Sequence, residues 1–493
     1  MFSIQSARAI MLTSAVLIAL STRALGVDPT IAEALVGALL SETPMVEDLR
    51  ELTDEIGGRP TGSKANLESV EWGLKKFEDA GISARKEAFG MPGLWLERSC
   101  EARISGDVSF EVRAAPMPFS IATPEAGVQA RLIDGGRGTE ADFERLGEDV
   151  RGAFLLFETP PLLDVDGLFR EYNENVEIER IASEMGAAGV VFMSSRPEGI
   201  LYRHNARNDF ENEQLVLAME RTHALRVLRL LRSGKQIEFW TRVDLEQGGA
   251  YDSYNVIGEI QGNELADEFV VIGAHLDSWD LGTGANDNGC NVAMMIDIAR
   301  QMKRLGLQPR RTICFALWNG EEQGLHGSWG YAKAHANELD RHVVAGSIDI
   351  GSGRISGFFT GGRPEILEAV ERALDPVRGL GPFDLIDTPI VGTDNYDFMM
   401  EGIANIVANH ESYNYGPNYH ATSDTFDKVD LRQLRINAAI VATVVFEFAN
   451  MEVGWQRQSR EEIQALIDGT DLGKEMRTFN LMGDWEEGRR GRR

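Results

Sequence analysis

The second half of the chain alternates short apolar runs with helix-like segments, and this pattern limits the folds open to it. Residues 269–274, 312–317 and 343–348 are apolar and short enough to be buried strands. Residues 291–303 and 327–334 lie between them and have helical texture. Strands that alternate with helices predict an α/β fold, in which a mostly parallel sheet is covered by helices on both faces.

Residues that bind metals follow each of the three predicted strands. The first strand ends in His275 and Asp277, the second leads to Glu321 and Glu322, and the third leads to Asp349. In open α/β sheets, ligands bind outside the carboxyl ends of the strands. We therefore expect these side chains to meet at one edge of the sheet.

Two further segments carry residues of the same kind. The glycine-rich loop 284–289 contains Asp287, and His420 precedes a Thr-Ser-Asp-Thr stretch. Any one of these residues has an ordinary structural role, such as a turn or a helix cap. Their combination at consecutive strand ends predicts a metal centre instead. Imidazole and carboxylate groups suit zinc, and Asp287 is placed to bridge two ions.

Two of the acidic positions suit roles beside the metal rather than on it. Asp277 lies two residues beyond His275, where its carboxylate can hydrogen-bond the ring nitrogen that does not face the metal. The neighbours Glu321 and Glu322 divide into one metal ligand and one general base.

Length and charge narrow the class of protein. A chain of 493 residues is too long for one ordinary domain, so we expect two folded units. The formal net charge of −28 argues against nucleic-acid binding. Three cysteines are too few for a disulfide framework. Cys290 and Cys314 are therefore either buried free thiols or one bridge, and Cys100 stands apart.

The first residues resemble an export signal. Arg8 precedes the apolar run 9–20, and small residues follow at 24–26. We predict a signal peptide at 1–26 and an exported protein, secreted or periplasmic. The alternatives are a buried first helix and an uncleaved anchor. No later segment has a long uncharged apolar stretch, so we expect no membrane span in the mature protein.

Residues 110–247 have a different texture from the rest. Short β-type runs at 128–133 and 153–157 indicate a separate small α/β or β-rich module. It contains His204 and His223, for which we expect surface or capping roles because no carboxylate cluster accompanies them.

Four motifs resemble one enzyme family: GGRPTGSKANLE from Gly57, HLDSWDLGTGANDNG from His275, LWNGEEQG from Leu317 and GTDNYDF from Gly392. They are similar to the co-catalytic zinc aminopeptidase/glutamate carboxypeptidase family, and most of all to its carboxypeptidase Q-like members. The resemblance implies a zinc-exopeptidase sandwich with a mixed, mostly parallel central sheet and a smaller protease-associated α/β insert. It divides the chain into a signal peptide (1–26), a catalytic domain in two parts (27–109 and 248–453), the insert (110–247) and a C-terminal tail (454–493).

The resemblance also implies roles for residues and two Zn²⁺ ions. One ion is held by His275 and Asp349, the other by Glu322 and His420, and Asp287 bridges them. Asn288 stands where the carboxypeptidase Q-like members have a second Asp.

By the same resemblance, Glu321 is the general base and later the acid, and Asp277 orients His275. The expected function is a di-zinc metallo-exopeptidase that hydrolyses dipeptides or short peptides. The alternatives are an aminopeptidase on short peptides, a hydrolase of non-peptide amides, and a non-catalytic receptor-like relative. The resemblance further suggests a homodimer.

The sequence does not decide which residues recognise the substrate or which tyrosine stabilises an oxyanion. Recognition of a substrate ammonium needs a carboxylate such as Asp394, and recognition of a substrate carboxylate needs a cation such as Arg354. Tyr413, Tyr415 and Tyr419 are equal candidates to stabilise an oxyanion. We expect the C-terminal residues from Gly454 to form a mobile basic tail.

Overall fold

The computed structural model of the protein describes residues 29–163, 165–204, 210 and 212–493. Its strands are β1 Ser83–Met91, β2 Leu94–Gly106, β3 Phe110–Val112, β4 Ala114–Pro116, β5 Val128–Gly136, β6 Phe154–Phe157, β7 Gly189–Met193, β8 Val216–Met219, β9 Ile237–Gly248, β10 Tyr251–Ile260, β11 Leu265–His275, β12 Arg311–Trp318, β13 His342–Ser347, β14 Ile355–Phe359, β15 Asp384–Ile386 and β16 Asn405–His410.

The α-helices are α1 Pro29–Leu39, α2 Met45–Arg50, α3 Lys64–Asp79, α4 Glu140–Leu146, α5 Val165–Glu184, α6 Arg221–Arg232, α7 Cys290–Arg304, α8 His326–Ala334, α9 Pro364–Ala373, α10 Asn395–Met400, α11 Tyr415–Asn418, α12 Leu431–Asn450, α13 Arg460–Gly469, α14 Leu472–Thr478 and α15 Met482–Glu486. Short π-helical and 3₁₀ turns lie at Glu51–Ile56, Gly147–Val150, Ala285–Gly289, Leu339–Arg341, Asp375–Leu380 and Phe426–Lys428.

The first sheet has eight strands in the order β1-β10-β12-β11-β13-β16-β14-β15. Strands β12, β11, β13 and β16 pair in parallel, and so do β14 and β15. The pairs β1–β10, β10–β12 and β14–β16 are antiparallel. The predicted α/β fold with a mixed sheet is therefore confirmed, and the three strands expected to lead to metal ligands lie side by side.

Both faces of this sheet are covered by helices. In β12, Phe315 and Leu317 contribute to the same apolar core as the buried faces of α7 and α12. Ala316 and Trp318 point the other way, toward Tyr331 of α8 and the segment after α10. This alternation follows from the two-residue period of a strand, and burial on both faces explains the continuous apolar run.

The second sheet also has eight strands, in the order β3-β2-β9-β5-β6-β7-β8-β4. It contains the two β-type runs that indicated a separate module. It also takes in β2, which lies ahead of residue 110, where we placed the start of the insert. Helices α4, α5 and α6 fall within the stretch of chain that forms this sheet.

Helix α3 begins with a side-chain cap. Ser63 accepts a hydrogen bond from the main-chain N–H of Asn66, and α3 ends just before Gly81, whose φ is +72°. The chain leaves this helix at Gly81 and forms β1 from Ser83.

The C-terminal residues are packed, and our expectation of a mobile tail was wrong. Helices α13, α14 and α15 form an apolar cluster with Val391 and Tyr396, in which Trp485 and Leu481 are buried. The sequence pattern missed this because the apolar positions of these short helices are spread among charged residues.

The cysteines are free thiols, and Cys290 and Cys314 are buried, as the simpler alternative required. The predicted signal peptide at 1–26 lies outside the described residues. No helix within the part of the chain that the structure describes is both long and apolar enough to cross a membrane.

Candidate metal centre

The residues predicted to bind metal come together at one edge of the first sheet. His275 is the last residue of β11, and the parallel register pairs it with Trp318 at the end of β12. The turn after β12 carries Glu321 and Glu322, and Asp349 follows β13 by two residues. The carboxyl ends of adjacent parallel strands thus deliver these ligands to one place.

The first cluster consists of His275, Asp287 and Asp349. The Nε2 atom of His275 lies 3.2 Å from Oδ1 of Asp287 and 3.3 Å from Oδ1 of Asp349. One ligand atom from each residue falls within 4.8 Å of the others. His275 and Asp287 are buried, and Asp349 is partly exposed.

The second cluster consists of His420, Glu322 and the same Asp287. The Nε2 atom of His420 lies 2.9 Å from Oε2 of Glu322 and 3.2 Å from Oδ2 of Asp287. All three residues are buried. Asp287 therefore offers one carboxylate oxygen to each cluster, which is the arrangement of a bridging ligand.

Hydrogen bonds to the main chain fix which nitrogen of each imidazole faces the carboxylates. Nδ1 of His275 lies 2.9 Å from the carbonyl oxygen of Asp277, and Nδ1 of His420 lies 3.1 Å from that of Arg203. A carbonyl only accepts, so each Nδ1 carries the proton and donates it. In the neutral imidazoles the lone pair of each Nε2 then faces the carboxylates and can bind a metal ion, whereas in the protonated rings Nε2–H donates a hydrogen bond to them.

Asp277 contacts His275 differently from our expectation. The ring nitrogen bonds to its carbonyl oxygen, while the carboxylate oxygen Oδ1 lies 3.8 Å away. The carboxylate accepts a hydrogen bond from Thr61 at 2.8 Å and weaker ones, at 3.4 Å, from the main-chain N–H groups of Glu321 and Glu322. Asp277 thus connects the first ligand to the turn that carries both glutamates.

The charges of the cluster raise the pKa of both imidazoles. Burial lowers the pKa of His420, but Glu322 and Asp287 outweigh it and bring that pKa to about 9. His275 shows the same balance. Burial lowers its pKa, but the negative charges of Asp349 and Glu321 outweigh burial and raise the pKa well above its usual value. The opposite shift holds for Asp287, whose pKa is lowered because hydrogen bonds from both histidines overcome the effect of burial.

The two glutamates have raised pKa values. Burial brings the pKa of Glu322 to about 7 despite the nearby His420. For Glu321, desolvation and the negative charges of Asp349 and Glu322 raise the pKa well above the usual range, although His275 opposes this. Carboxylates packed this closely and away from water are stabilised either by a bound proton or by a cation beside them.

The donor set therefore fits two divalent ions. Two imidazole nitrogens and three carboxylates surround the site, and one carboxylate is shared. Nitrogen and carboxylate ligands of this number and kind suit zinc.

Two buried side chains outside the ligand set hold the ligand-bearing loop. The Arg59 guanidinium donates to the carbonyls of Gly57, Leu276, Thr283 and Gly284 at distances from 2.8 to 3.0 Å.

Asp424 accepts hydrogen bonds from the main-chain N–H groups of Asn286 at 2.8 Å and Asp287 at 3.1 Å. Both Arg59 and Asp424 lie in motifs that we quoted, yet neither was assigned a role, because their partners are distant in sequence.

The segment that follows β7 of the second sheet contributes directly to the metal centre. Tyr202 forms an antiparallel bridge with Ala421, and the main chain of Arg203 exchanges hydrogen bonds with His420. His420 adopts a φ of 55°, a conformation that is costly for a residue with a side chain. Contacts from 196–204 therefore hold His420 in a strained geometry.

One histidine of this module was wrongly expected at the surface or in a cap. His204 is buried, its ring stacks on Tyr172 with centroids 3.6 Å apart, and it lies 6.5 Å from the ring of His420. His223 behaves nearer to expectation, because its Nδ1 accepts the main-chain N–H of Arg113 close to the start of α6. Nothing local in the sequence distinguishes the two histidines.

The candidate residues for substrate recognition and for oxyanion stabilisation differ in burial and in their contacts. Arg354 pairs with Glu411 at 2.8 Å, and Asp394 is buried. The hydroxyl of Tyr415 lies 3.5 Å from Asp349, that of Tyr419 lies 3.0 Å from that of Tyr172, and Tyr413 is exposed.

Comparisons with known proteins find similar peptidases. Residues 255–445 match the model of peptidase family M28. Carboxypeptidase Q of Bos taurus is 26% identical over 420 residues, covering 82% of this chain and 85% of the relative.

Two solved structures share the fold. The M28 peptidase precursor of Shewanella amazonensis has a TM-score of 0.78 and 27% identity, and the match covers 87% of this chain and 99% of that one. The zinc aminopeptidase BSAP of Bacillus subtilis has a TM-score of 0.64 at 22% identity, covering 82% and 94% respectively.

Proposed function

The chain belongs to peptidase family M28 and is a metallopeptidase, and we propose that it is a di-zinc exopeptidase that hydrolyses dipeptides or short peptides. The observation that carries the proposal is the position of Asp287. Its two carboxylate oxygens lie 3.2 Å from Nε2 of His275 and 3.2 Å from Nε2 of His420. One shared carboxylate between two otherwise separate ligand pairs is what a two-ion centre requires.

In this proposal, His275 and Asp349 hold one zinc ion, Glu322 and His420 hold the other, and Asp287 bridges them. Zinc supplies a Lewis acid that polarises the scissile carbonyl and lowers the pKa of an attacking water. That a structural neighbour is described as a zinc aminopeptidase supports the choice of metal.

Glu321 is the proposed general base and acid. It adjoins the ligand Glu322 and lines the same recess, and it keeps part of its surface exposed. Its carboxylate takes a proton from the attacking water and later gives it to the departing amine nitrogen. A pKa raised by desolvation suits this exchange, because the group must both accept and release a proton. Asp277 positions this turn through its hydrogen bonds to the main chain.

The shape of the recess supports short substrates. It lies between the carboxyl ends of the first sheet and α5 of the second module, and Phe479 and Leu481 line it from a third side. Walls from three parts of the chain restrict access to the ligands, which favours short peptides over folded proteins as substrates. The complete set of five ligands and a base argues against a non-catalytic receptor-like protein.

Three finer points belong to the same proposal. Residues 1–26 act as a signal peptide for export, residues 110–247 form a protease-associated insert, and the enzyme assembles as a homodimer. Mass spectrometry of the mature protein tests the first, and its mass in solution tests the last.

The direct test is hydrolysis of a panel of free, N-blocked and C-amidated dipeptides, with and without a zinc chelator. Chelator-sensitive cleavage that survives only one kind of block would support an exopeptidase and identify the terminus it reads. Cleavage of N-blocked substrates alone favours a carboxypeptidase, and cleavage of C-amidated ones alone favours an aminopeptidase. If protein carrying two zinc ions cleaves no member, the peptidase proposal fails and a hydrolase of non-peptide amides becomes the better hypothesis.

A further inference from the structure

The recess beside the metal ligands has a polar floor and an apolar wall. Glu321, Glu322 and His420 form its floor. The wall is made by side chains from parts of the chain that are far apart in sequence: Tyr172, Leu325, Val391, Tyr419, Phe479 and Leu481.

Two residues of this wall belong to the C-terminal segment, residues 472–493, which follows the region matched by the family model. Phe479 ends α14 and is partly exposed toward the recess, and Leu481 is buried at the start of α15. The main-chain N–H of Val391 donates to Glu475 at 3.1 Å, which ties α14 to another part of the same wall.

The same segment also contacts the second sheet's helix α5. The ring of Phe479 lies edge-on to that of Tyr172, with centroids 5.1 Å apart, and also near Phe169 at 6.5 Å. Thr478 donates a hydrogen bond to Asn173 at 2.5 Å. Phe479 therefore closes the recess between α5 and the first sheet.

The charges around the recess decide which substrate side chain it accepts. Across the described portion of the chain, its lining includes no lysine or arginine. Its two carboxylates, Glu321 and Glu322, are the proposed base and a proposed zinc ligand, so they are already engaged at the metal centre. Against the apolar wall itself, an acidic or a basic side chain would lose hydration without gaining a partner of opposite charge.

We propose that the C-terminal segment is a specificity element, in which Phe479 and Leu481 receive an uncharged apolar side chain next to the scissile bond. The inference rests on the proposed peptidase function and adds the substrate class: dipeptides with an aliphatic residue at the position that enters the recess. Acidic and basic residues are disfavoured there because the apolar wall would strip their hydration, and large aromatic ones because the ring of Phe479 occupies the space.

The test compares kcat/KM for zinc-loaded enzyme on dipeptides in which Ala, Leu, Phe, Glu or Lys is paired with Ala in either order. For the wild type, Leu is expected at least 10-fold above Glu and Lys at one of the two positions. Phe479→Ala enlarges the recess and should raise the Phe-to-Leu ratio at that position about 10-fold. Phe479→Arg supplies a cation and should raise the Glu-to-Leu ratio by a similar factor.

Met482→Ala is the matched control, because Met482 packs in the same C-terminal cluster but does not line the recess. Its ratios should stay within about twofold of the wild type. A wild type that cleaves no dipeptide contradicts the proposed function itself. A wild type that cleaves but prefers Glu or Lys, or whose ratios do not change in either Phe479 variant, overturns the specificity element alone. Phe479→Arg is judged by a gain on Glu substrates, which an unfolded variant cannot produce.

Discussion

The guanidinium of Arg490 forms a two-point ion pair with the carboxylate of Asp397, and both bonds measure 2.7 Å. Both side chains are almost completely buried. Arg490 also donates to the carbonyls of Gly324 and Leu325 at 3.2 Å, in the turn that follows Glu321 and Glu322. The C-terminal segment is thereby anchored to the turn that carries the proposed base.

Breaking this pair should destabilise the protein. In Arg490→Met the carboxylate of Asp397 stays buried without its counter-charge, so the free energy of unfolding should fall by about 3–5 kcal/mol. Urea denaturation followed by tryptophan fluorescence measures the change. Arg489→Met is the control, because Arg489 is largely exposed and should change stability by less than about 1 kcal/mol. If both substitutions lowered the free energy of unfolding equally, the buried pair would contribute no more to stability than the exposed Arg489.

The two adjacent glutamates should respond differently to the same substitution. Glu321→Gln removes the proposed proton carrier but no ligand, so the protein should keep two zinc ions and lose about 10²–10⁴-fold in kcat. Glu322→Gln should instead lower the zinc content, because Glu322 lies 2.9 Å from His420 in the second cluster. Metal analysis and initial rates on one dipeptide separate the two effects. An active, zinc-loaded Glu321→Gln enzyme would remove Glu321 from the mechanism.

The number of bound zinc ions should match the two ligand clusters. Wild-type protein should bind two ions, and His275→Ala and His420→Ala should each lose at least one, since each removes a ligand from a different cluster. Removing the metal should also lower Tm, because ions that bind only the folded state stabilise it. His410→Asn provides the control, because His410 is no part of either cluster. A wild type that saturates with one ion would contradict the bridging role of Asp287.

Arg59 should influence metal affinity without touching a metal. Its planar group reaches four carbonyls of the ligand-bearing region, and the single ammonium of Lys cannot reproduce that pattern. Arg59→Lys should weaken zinc binding about 10–100-fold, as measured by competition with a chelator of known affinity. Arg300→Lys is matched in chemistry but pairs with Asp48 and Asp297, and it should leave zinc affinity unchanged.

One ion pair away from the metal centre should give a pH-dependent contribution to stability. His335 lies 3.1 Å from both Glu87 and Glu338. Burial lowers the pKa of His335, but hydrogen bonds to the two glutamates outweigh it and raise that pKa above the usual value. Because the folded-state pKa exceeds the unfolded one, the stabilisation is fully present below the unfolded pKa and is lost as pH rises through the folded pKa.

The measurable consequence is a difference between wild type and His335→Gln. The wild type should be more stable by about 1 kcal/mol near pH 6, and this advantage should disappear by about pH 9. Urea denaturation at both pH values provides the comparison. An advantage that is constant with pH would indicate packing rather than the charge of the imidazole.

Local patterns in the sequence were sufficient for the framework of the metal centre. The apolar runs that became β11, β12 and β13 have the length and flanking residues of buried strands, and parallel strands end at one edge. That is why His275 and Asp349 could be placed near each other before any coordinates. The type of residue at each strand end then indicated the metal.

The tertiary structure decided which distant segments complete the site. Arg203 supplies the carbonyl that orients His420, Tyr172 and Phe479 close the recess, and Arg490 anchors the turn of the proposed base. These contacts join residues that are far apart in the sequence, and the hydrophobic periodicity of the chain does not predict them. Local propensity and hydrophobic spacing specify strands and helices, but the packing of one such unit against another depends on long-range burial and charge pairing. That packing determined where the C-terminal segment and His204 lie.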